Sequence, residues 1–526
     1  MDRSTADKLL PRGLRQWALR GSLLTVFCWI AIFTGCSLQK SDPNTVTVAI
    51  ESSPTNLDPR IGTDAQAERI DELIFDSLLR KDKQFNLQPD LATSWEMPNP
   101  LTYIFHLRSG VKFQNGQPLT SRDVKWTLDS MQNHSILTAK YQAYRNIAEI
   151  DTPDAATVVI RMQQPDAALL WNLSDGALGI VPYGSGNNFQ QHPIGTGPFE
   201  FVSQELDKEV VLKRNPLSWQ GVPKIVRLQF EVVPDAMTRA LELRKGSADV
   251  ESNALSPDMV WSMRHDSKLA ISTMPGTEVQ YLTFNLHDPY LQNVRVRQAI
   301  AYAMNRPLII ATLLHGQARL ADSLLPPGHW AYTGDVPQYN YDPQKARELL
   351  DAAGYKPGPG GIRFHLEMKT SNDEGTRVLA MALQQQLRAV GIALDIRSFE
   401  FATFYADISH GSFGMYGLRW IGGNEDPDIY RYAFASSSFP PHGANRGHYF
   451  NPEIDRLLKE AATVSNQAKR RATYVRVQQI LAEDLPTLPL WYLDSVMIYN
   501  RRLSGVTASP SGNFYCLETA VPHAAR

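Results

Sequence analysis

Cysteine is nearly absent. The chain of 526 residues holds three, Cys28, Cys36 and Cys516, too few for a disulfide framework and without the clustered spacing that zinc or iron–sulfur centres need. Net charge is missing as well. Fifty-two Lys plus Arg stand against 54 Asp plus Glu, so no global positive field draws the chain to nucleic acid. The longest apolar run, Gly21 to Thr34, falls short of the roughly 20 residues that span a bilayer. No period of roughly 20 to 50 residues recurs, which removes solenoids and propellers. Gly-x-Ser-x-Gly, His-Glu-x-x-His and the phosphate loop are missing too, so the common hydrolase and nucleotide-binding signatures give no support to catalysis. What is present is apolar content of 43% with 10% aromatic residues. At roughly 100 to 200 residues per domain, that is a folded chain with at least two cores.

The basic start, Arg3, Lys8, Arg12, Arg15 and Arg20 against Asp2 and Asp7, runs directly into Gly21 to Thr34. A positive segment followed by a short apolar one reads as a signal peptide over residues 1–35 and places the mature chain outside the cytoplasm. Phe33-Thr34-Gly35-Cys36 resembles the lipobox of bacterial lipoproteins, which implies cleavage before Cys36 and a lipid on its sulfur. Cys516 then has no disulfide partner, and a domain this long needs none because its core is large.

From Val46 onward short strands alternate with amphipathic helices, an α/β pattern. Val46–Ile50 reads as a strand, and Ala67 to Leu79 as a helix with Ile70, Leu73, Ile74 and Leu78 on one face. Tyr103, Phe105 and Leu107 alternate as core strand positions, and Thr120 to Asp123 has capping-box spacing before another helix. Further on, Ile362 to Met368, the helix around Leu379 to Val390, and Ile392 to Ile396 form a strand–helix–strand crossover with parallel strands, closed by Gly391. Asp342-Pro343 and Asn451-Pro452 each start a helix, a capping side chain preceding Pro.

Two tempting sites are weak. Gly195-Thr196-Gly197 lacks the final glycine and helix start a pyrophosphate requires, and its glycines are expected to fix a turn. His410, His442 and His448 share a region, but their spacing matches no metal site. Neither a cofactor nor a metal is expected.

Three segments carry a resemblance. Leu91-Ala-Thr-Ser-Trp-Glu96 runs through Tyr103-Ile-Phe-His-Leu-Arg-Ser-Gly-Val-Lys-Phe113 to Asp123-Val-Lys125. Ile194-Gly-Thr-Gly-Pro-Phe-Glu-Phe201 follows, then Leu282-Thr-Phe-Asn285 with Val294-Arg-Val-Arg-Gln-Ala-Ile300. In this order they resemble the bacterial extracellular solute-binding proteins of family 5, the receptors of peptide, oligopeptide and nickel ABC importers. Arg295 and Arg297, within the third segment, are expected in ion pairs.

The resemblance implies an α/β, two-lobed periplasmic-binding-protein fold (type II, large cluster) with an extra αβ subdomain in lobe I. Lobe I is expected over residues 36–281, including the subdomain at about 76–192, lobe II over 282–489, and a return to lobe I over 490–526. The two crossings fall near Val279 to Asn285 and Leu488 to Tyr499. The implied function is that of a receptor capturing a peptide or peptide-like solute between the lobes and handing it to ABC permease subunits. The chain is expected as a monomer, periplasmic or at the cell surface, held to the membrane through Cys36. The alternatives are a receptor for an opine, glycan fragment or metal chelate, and a secreted hydrolase using Glu425, Asp426 or Asp428.

Gly417-Leu-Arg-Trp-Ile-Gly-Gly-Asn-Glu-Asp-Pro-Asp428 resembles the family's ligand loop, where a Trp is followed three residues later by the Asp that pairs a peptide's ammonium. Here Trp420 and Asp426-Pro427 match, but Gly423 stands at that Asp position, so the ammonium partner is lost or replaced, for instance by Glu425. The resemblance makes Tyr416, Arg419, Trp420, Gly423, Asn424 and Glu425 ligand-binding candidates, with Arg419 as a carboxylate partner, and adds Thr63 and Gln66 from the facing lobe. Asp426 and Asp428 are expected to shape their own turn. No catalytic residue is assigned.

Overall fold

The computed structural model describes residues 44–523 apart from Asp175, Ala177, Gly423–Glu425 and Ser465. Residues 1–35, expected as a signal peptide, and Cys36 lie outside the described residues.

Local chemistry starts and stops the elements. Thr45–Ile50 is a strand, and in Thr102–Leu107 every second residue is buried, the period-2 signature of a half-buried strand. The Asp123 carboxylate accepts from Thr120 N–H at 2.7 Å at the start of the helix Ser121–Gln132. Asp342 and Asn451 cap Pro343–Ala352 and Pro452–Thr463. The first helix, Ala65–Ile74, is shorter than its apolar spacing suggests. The Ile74 carbonyl accepts from Gly197 N–H at 2.9 Å and from Gln114 Nε2 at 3.0 Å. The chain leaves the helix at Phe75, and Leu79–Lys81 becomes a strand.

Among the described residues, one mixed sheet of eleven strands organises the molecule. Its centre is an antiparallel pair of long strands, Leu269–Phe284 and Thr487–Asn500. On one side Thr487–Asn500 pairs with Val250–Ser252, which leads to Thr45–Ile50 and Arg227–Val232. On the other side Leu269–Phe284 pairs with Met415–Trp420, which leads to the parallel pair Phe364–Ser371 and Ile392–Phe399. That parallel pair is joined by the helix Glu374–Arg388. The register of the central pair shifts between Pro275 and Val279. Separate cores flank this pair, one built from residues such as Val46, Phe199, Phe230 and Phe514, the other from Phe284, Ile300, Leu366 and Leu488.

A four-stranded antiparallel sheet, ordered Ala92–Asn99, Thr102–Leu107, Thr157–Met162, Ile147–Asp154, forms a further layer. Its core includes Tyr103, Phe105, Val124, Leu128 and Ile160.

Two local expectations need correction. Gly195 and Gly197 are absent from the positive-φ residues, so no left-handed turn demands them. They are needed because a Cβ on Gly195 would lie 2.0 Å from the Ile74 carbonyl oxygen, and one on Gly197 2.7 Å from the Ile74 carbonyl carbon. Arg297 makes no ion pair among the described residues. It is buried and donates to the carbonyls of Leu291, Gln292, Asp484 and Leu485, clamping the chain ahead of Thr487–Asn500. Arg295 is exposed and reaches the Ala352 carbonyl at 3.5 Å.

Candidate functional site

A cavity opens where the central strands meet Met415–Trp420. Alternation along paired strands builds its wall. Tyr281 and Thr283 come from the first long strand, Tyr416 and Trp420 from its neighbour, and Thr487 from the second long strand. The register sets Val279 opposite Trp420, Tyr281 opposite Leu418 and Thr283 opposite Tyr416. Tyr281 therefore stands between the two aromatic positions, with ring centroids 6.4 Å from Tyr416 and 6.3 Å from Trp420. Such tilted and edge contacts hold the rings at fixed angles.

Leu324, Ala433, Phe434 and Pro486 add to the wall, and its other side is a loop, Ala444 to Tyr449, fastened at several points. Asn445 Nδ2 donates to the carbonyls of Phe434, Ala435 and Tyr449, and its Oδ1 accepts from Tyr449 N–H at 2.9 Å. Gly447 passes so close to the first long strand that a Cβ would lie 2.5 Å from the Phe284 carbonyl oxygen. Between these two anchors Arg446 lines the cavity, buried, with a guanidinium nitrogen 2.6 Å from the Tyr405 hydroxyl. Burial pulls the Arg446 guanidinium down, and the phenol oxygens of Tyr416, Tyr405 and Tyr281 more than restore it. Burial pushes the phenols of Tyr281 and Tyr416 up, so both are neutral hydroxyls at physiological pH. His448, in the same loop, stacks on His287 with ring centroids 4.6 Å apart, and neither ring lines the cavity.

The structure brings Tyr416 and Trp420 together on this wall and leaves other sequence candidates elsewhere. Arg419 follows the strand's alternation to the opposite face, half exposed and 3.5 Å from Glu278. Thr63 is exposed, and Gln66 is buried with Nε2 donating to Glu51 at 2.8 Å; neither lines the cavity. Gly423, Asn424 and Glu425 lie outside the described residues. Asp426 accepts from Asp428 N–H at 2.6 Å, shaping the turn, and also accepts from both terminal nitrogens of Arg470 at 2.8 and 3.1 Å. Arg470 is 1% exposed and its guanidinium lies over the rings of Trp171 and Tyr474 at 5.0 and 5.5 Å.

Tyr281, Thr283, Thr487 and Arg446 are not legible as site residues in the sequence. The alternation of Tyr281 and Thr283 marks a strand face, but nothing local says what that face meets. Arg446 carries no sequence signal at all.

The fold is that of a two-lobed binding protein. Residues 86–440 match the family described as bacterial extracellular solute-binding proteins, family 5 Middle, and the chain belongs to that family. It is 28% identical over 509 residues to the glutathione-binding protein GsiB of Escherichia coli K12, covering 94% of this chain and 97% of that protein. NikZ from Campylobacter jejuni, solved in complex with Ni(L-His), superposes with a TM-score of 0.76 at 27% identity, over 91% of this chain and 99% of NikZ. The periplasmic binding protein DppA from Helicobacter pylori, in complex with the peptide STSA, gives 0.72 at 25% identity, over 91% and 98%.

Proposed function

We propose that the chain is the solute receptor of an ABC importer, taking a peptide or peptide-like solute into the aromatic cavity and passing it unaltered to a membrane permease. The cavity at the junction of the two long strands carries this reading. Rings on paired strands offer apolar walls, while Thr283, Thr487 and Arg446 offer polar partners, the composition expected of a small-solute site. The ligands named for the relatives, glutathione, a histidine complex and a tetrapeptide, are all amino-acid derivatives. Lobe I, residues 36–281 with 490–526, and lobe II, residues 282–489, would close over the solute by bending where the long strands change register.

Incubating the purified chain with a pancreatic casein digest and recording native mass spectra tests this reading. We expect stoichiometric retention of peptides and no new products; catalytic turnover of the pool would favour a hydrolase instead. Trp420→Ala should weaken retention by about 1 to 3 kcal/mol with the circular dichroism spectrum unchanged. Equal affinity would remove Trp420 from the site.

The anchor at Cys36 is supported by its place directly after the apolar segment of the signal. Cys36→Ser should move the chain from the membrane fraction to the soluble one on fractionation in a bacterial host. An unchanged membrane fraction would count against lipidation.

A further inference from the structure

Six arginines are buried among the described residues: Arg60, Arg239, Arg297, Arg306, Arg446 and Arg470. Five have their charge answered. Arg60 pairs with Asp58 at 2.7 Å and Arg470 with Asp426. Arg297 is surrounded by main-chain carbonyls, Arg306 donates to those of Ala321, Pro489 and Tyr339, and Arg239 to those of Val233, Pro234 and Ala254.

Arg446 differs. Among the described residues its guanidinium has neither a carboxylate nor a carbonyl partner: it donates to the Tyr405 hydroxyl at 2.6 Å and lies 4.9 Å from the centre of that ring, while its Nε, like that of Arg239, has no hydrogen-bond partner. The groups around it are the phenols of Tyr281, Tyr405 and Tyr416, and a neutral phenol solvates a cation without cancelling its charge. Asp407, on the same helix as Tyr405, is already taken by Lys369 at 2.8 Å. A buried guanidinium answered only by neutral hydroxyls still lacks a counter-charge and favours an anion beside it, and the loop carrying it is pinned by Asn445 and Gly447, so the side chain is held in place at the cavity wall.

We infer that Arg446 is the anion receptor of the cavity, and that the solute carries a carboxylate which lies against its guanidinium with the three tyrosines as rim. This rests on the receptor reading above and narrows it to acidic or free-carboxyl solutes. The planar fork of arginine matches a carboxylate through two parallel hydrogen bonds, which a lysine cannot supply. The carboxylate can be a peptide's C terminus or an acidic side chain, and the two sources are separable by experiment.

The probes are the pancreatic casein digest, the same digest with every carboxyl group amidated, and glutathione with one or both carboxyls esterified. Each is titrated against the ligand-free wild-type chain and against Arg446→Met and Arg446→Lys, with retention read by native mass spectrometry and melting temperature by calorimetry. Wild type should retain the free-carboxyl digest and bind the amidated one roughly 100-fold more weakly. Arg446→Met should lose the same factor, Arg446→Lys should recover part of it, and ligand-free Arg446→Met should melt no lower than wild type because it removes an unanswered charge. Retention restricted to peptides with Asp or Glu assigns the site to a side-chain carboxylate; retention of all free C termini assigns it to the terminus. Equal binding of the free and amidated digests, wild-type affinity in Arg446→Met, or a ligand-free Arg446→Met that melts several degrees lower would overturn the assignment and leave the receptor reading standing. Binding of none of the probes by wild type overturns both.

Discussion

Gly195→Ala is expected to destabilise the chain by at least about 3 kcal/mol, a loss at the upper end of single substitutions. The added methyl group would sit 2.0 Å from the Ile74 carbonyl oxygen and 2.7 Å from its carbon, so the loop and the end of the helix Ala65–Ile74 must separate. Their separation would also strain the bonds that join them, directly from Gly197 N–H to the Ile74 carbonyl at 2.9 Å, and through Gln114, whose Oε1 accepts from Gly195 N–H at 2.9 Å and whose Nε2 donates to the Ile74 carbonyl at 3.0 Å. Overpacking against main chain is costlier than against a flexible side chain, since no rotamer can relieve it. Gly328 has open space around its Cβ direction and no positive φ, and Gly328→Ala should therefore stay within about 0.5 kcal/mol of wild type. Calorimetric melting of both variants decides the matter; equal effects would rule out the steric account of Gly195.

Asp426→Ala should cost about 3 kcal/mol. It strips the carboxylate from Arg470, which is 1% exposed and donates two bonds to Asp426, and an uncompensated buried charge is among the more expensive single defects. Burial pulls the Arg470 guanidinium down, but Asp426 and its neighbours hold it above its ordinary value. The double variant Asp426→Ala with Arg470→Met should lose less than Asp426→Ala alone, because the second change removes the stranded charge and leaves an apolar chain among Trp171, Trp330 and Tyr474. Urea melts of the two single variants and the double variant test this ordering. A double variant less stable than Asp426→Ala alone would mean that the rings depend on the cation rather than tolerating it.

These two sites sit at opposite ends of what a sequence can reveal. The Ile194 to Phe201 motif is legible as a scaffold segment, yet its reason is not: a glycine kept for close approach looks the same in sequence as one kept for a left-handed turn. Asp426 is legible as part of a turn, and its pairing with Arg470 is not, because the two lie 44 positions apart and no local pattern links them.

The sequence by itself determined the strands and helices with clear periodicity, the caps at Thr120, Asp342 and Asn451, the parallel crossover around Leu379 to Val390, and the family of solute-binding proteins. These follow from interactions between residues a few positions apart, or from motifs long enough to be specific. Only the tertiary structure decided where the first helix stops, that Arg297 clamps carbonyls, that Arg419 faces away from the cavity, and that Arg446 sits inside it among three tyrosines. Each of those depends on which distant segment arrives alongside, and the electrostatic demand of a buried charge exists only once packing has removed the water.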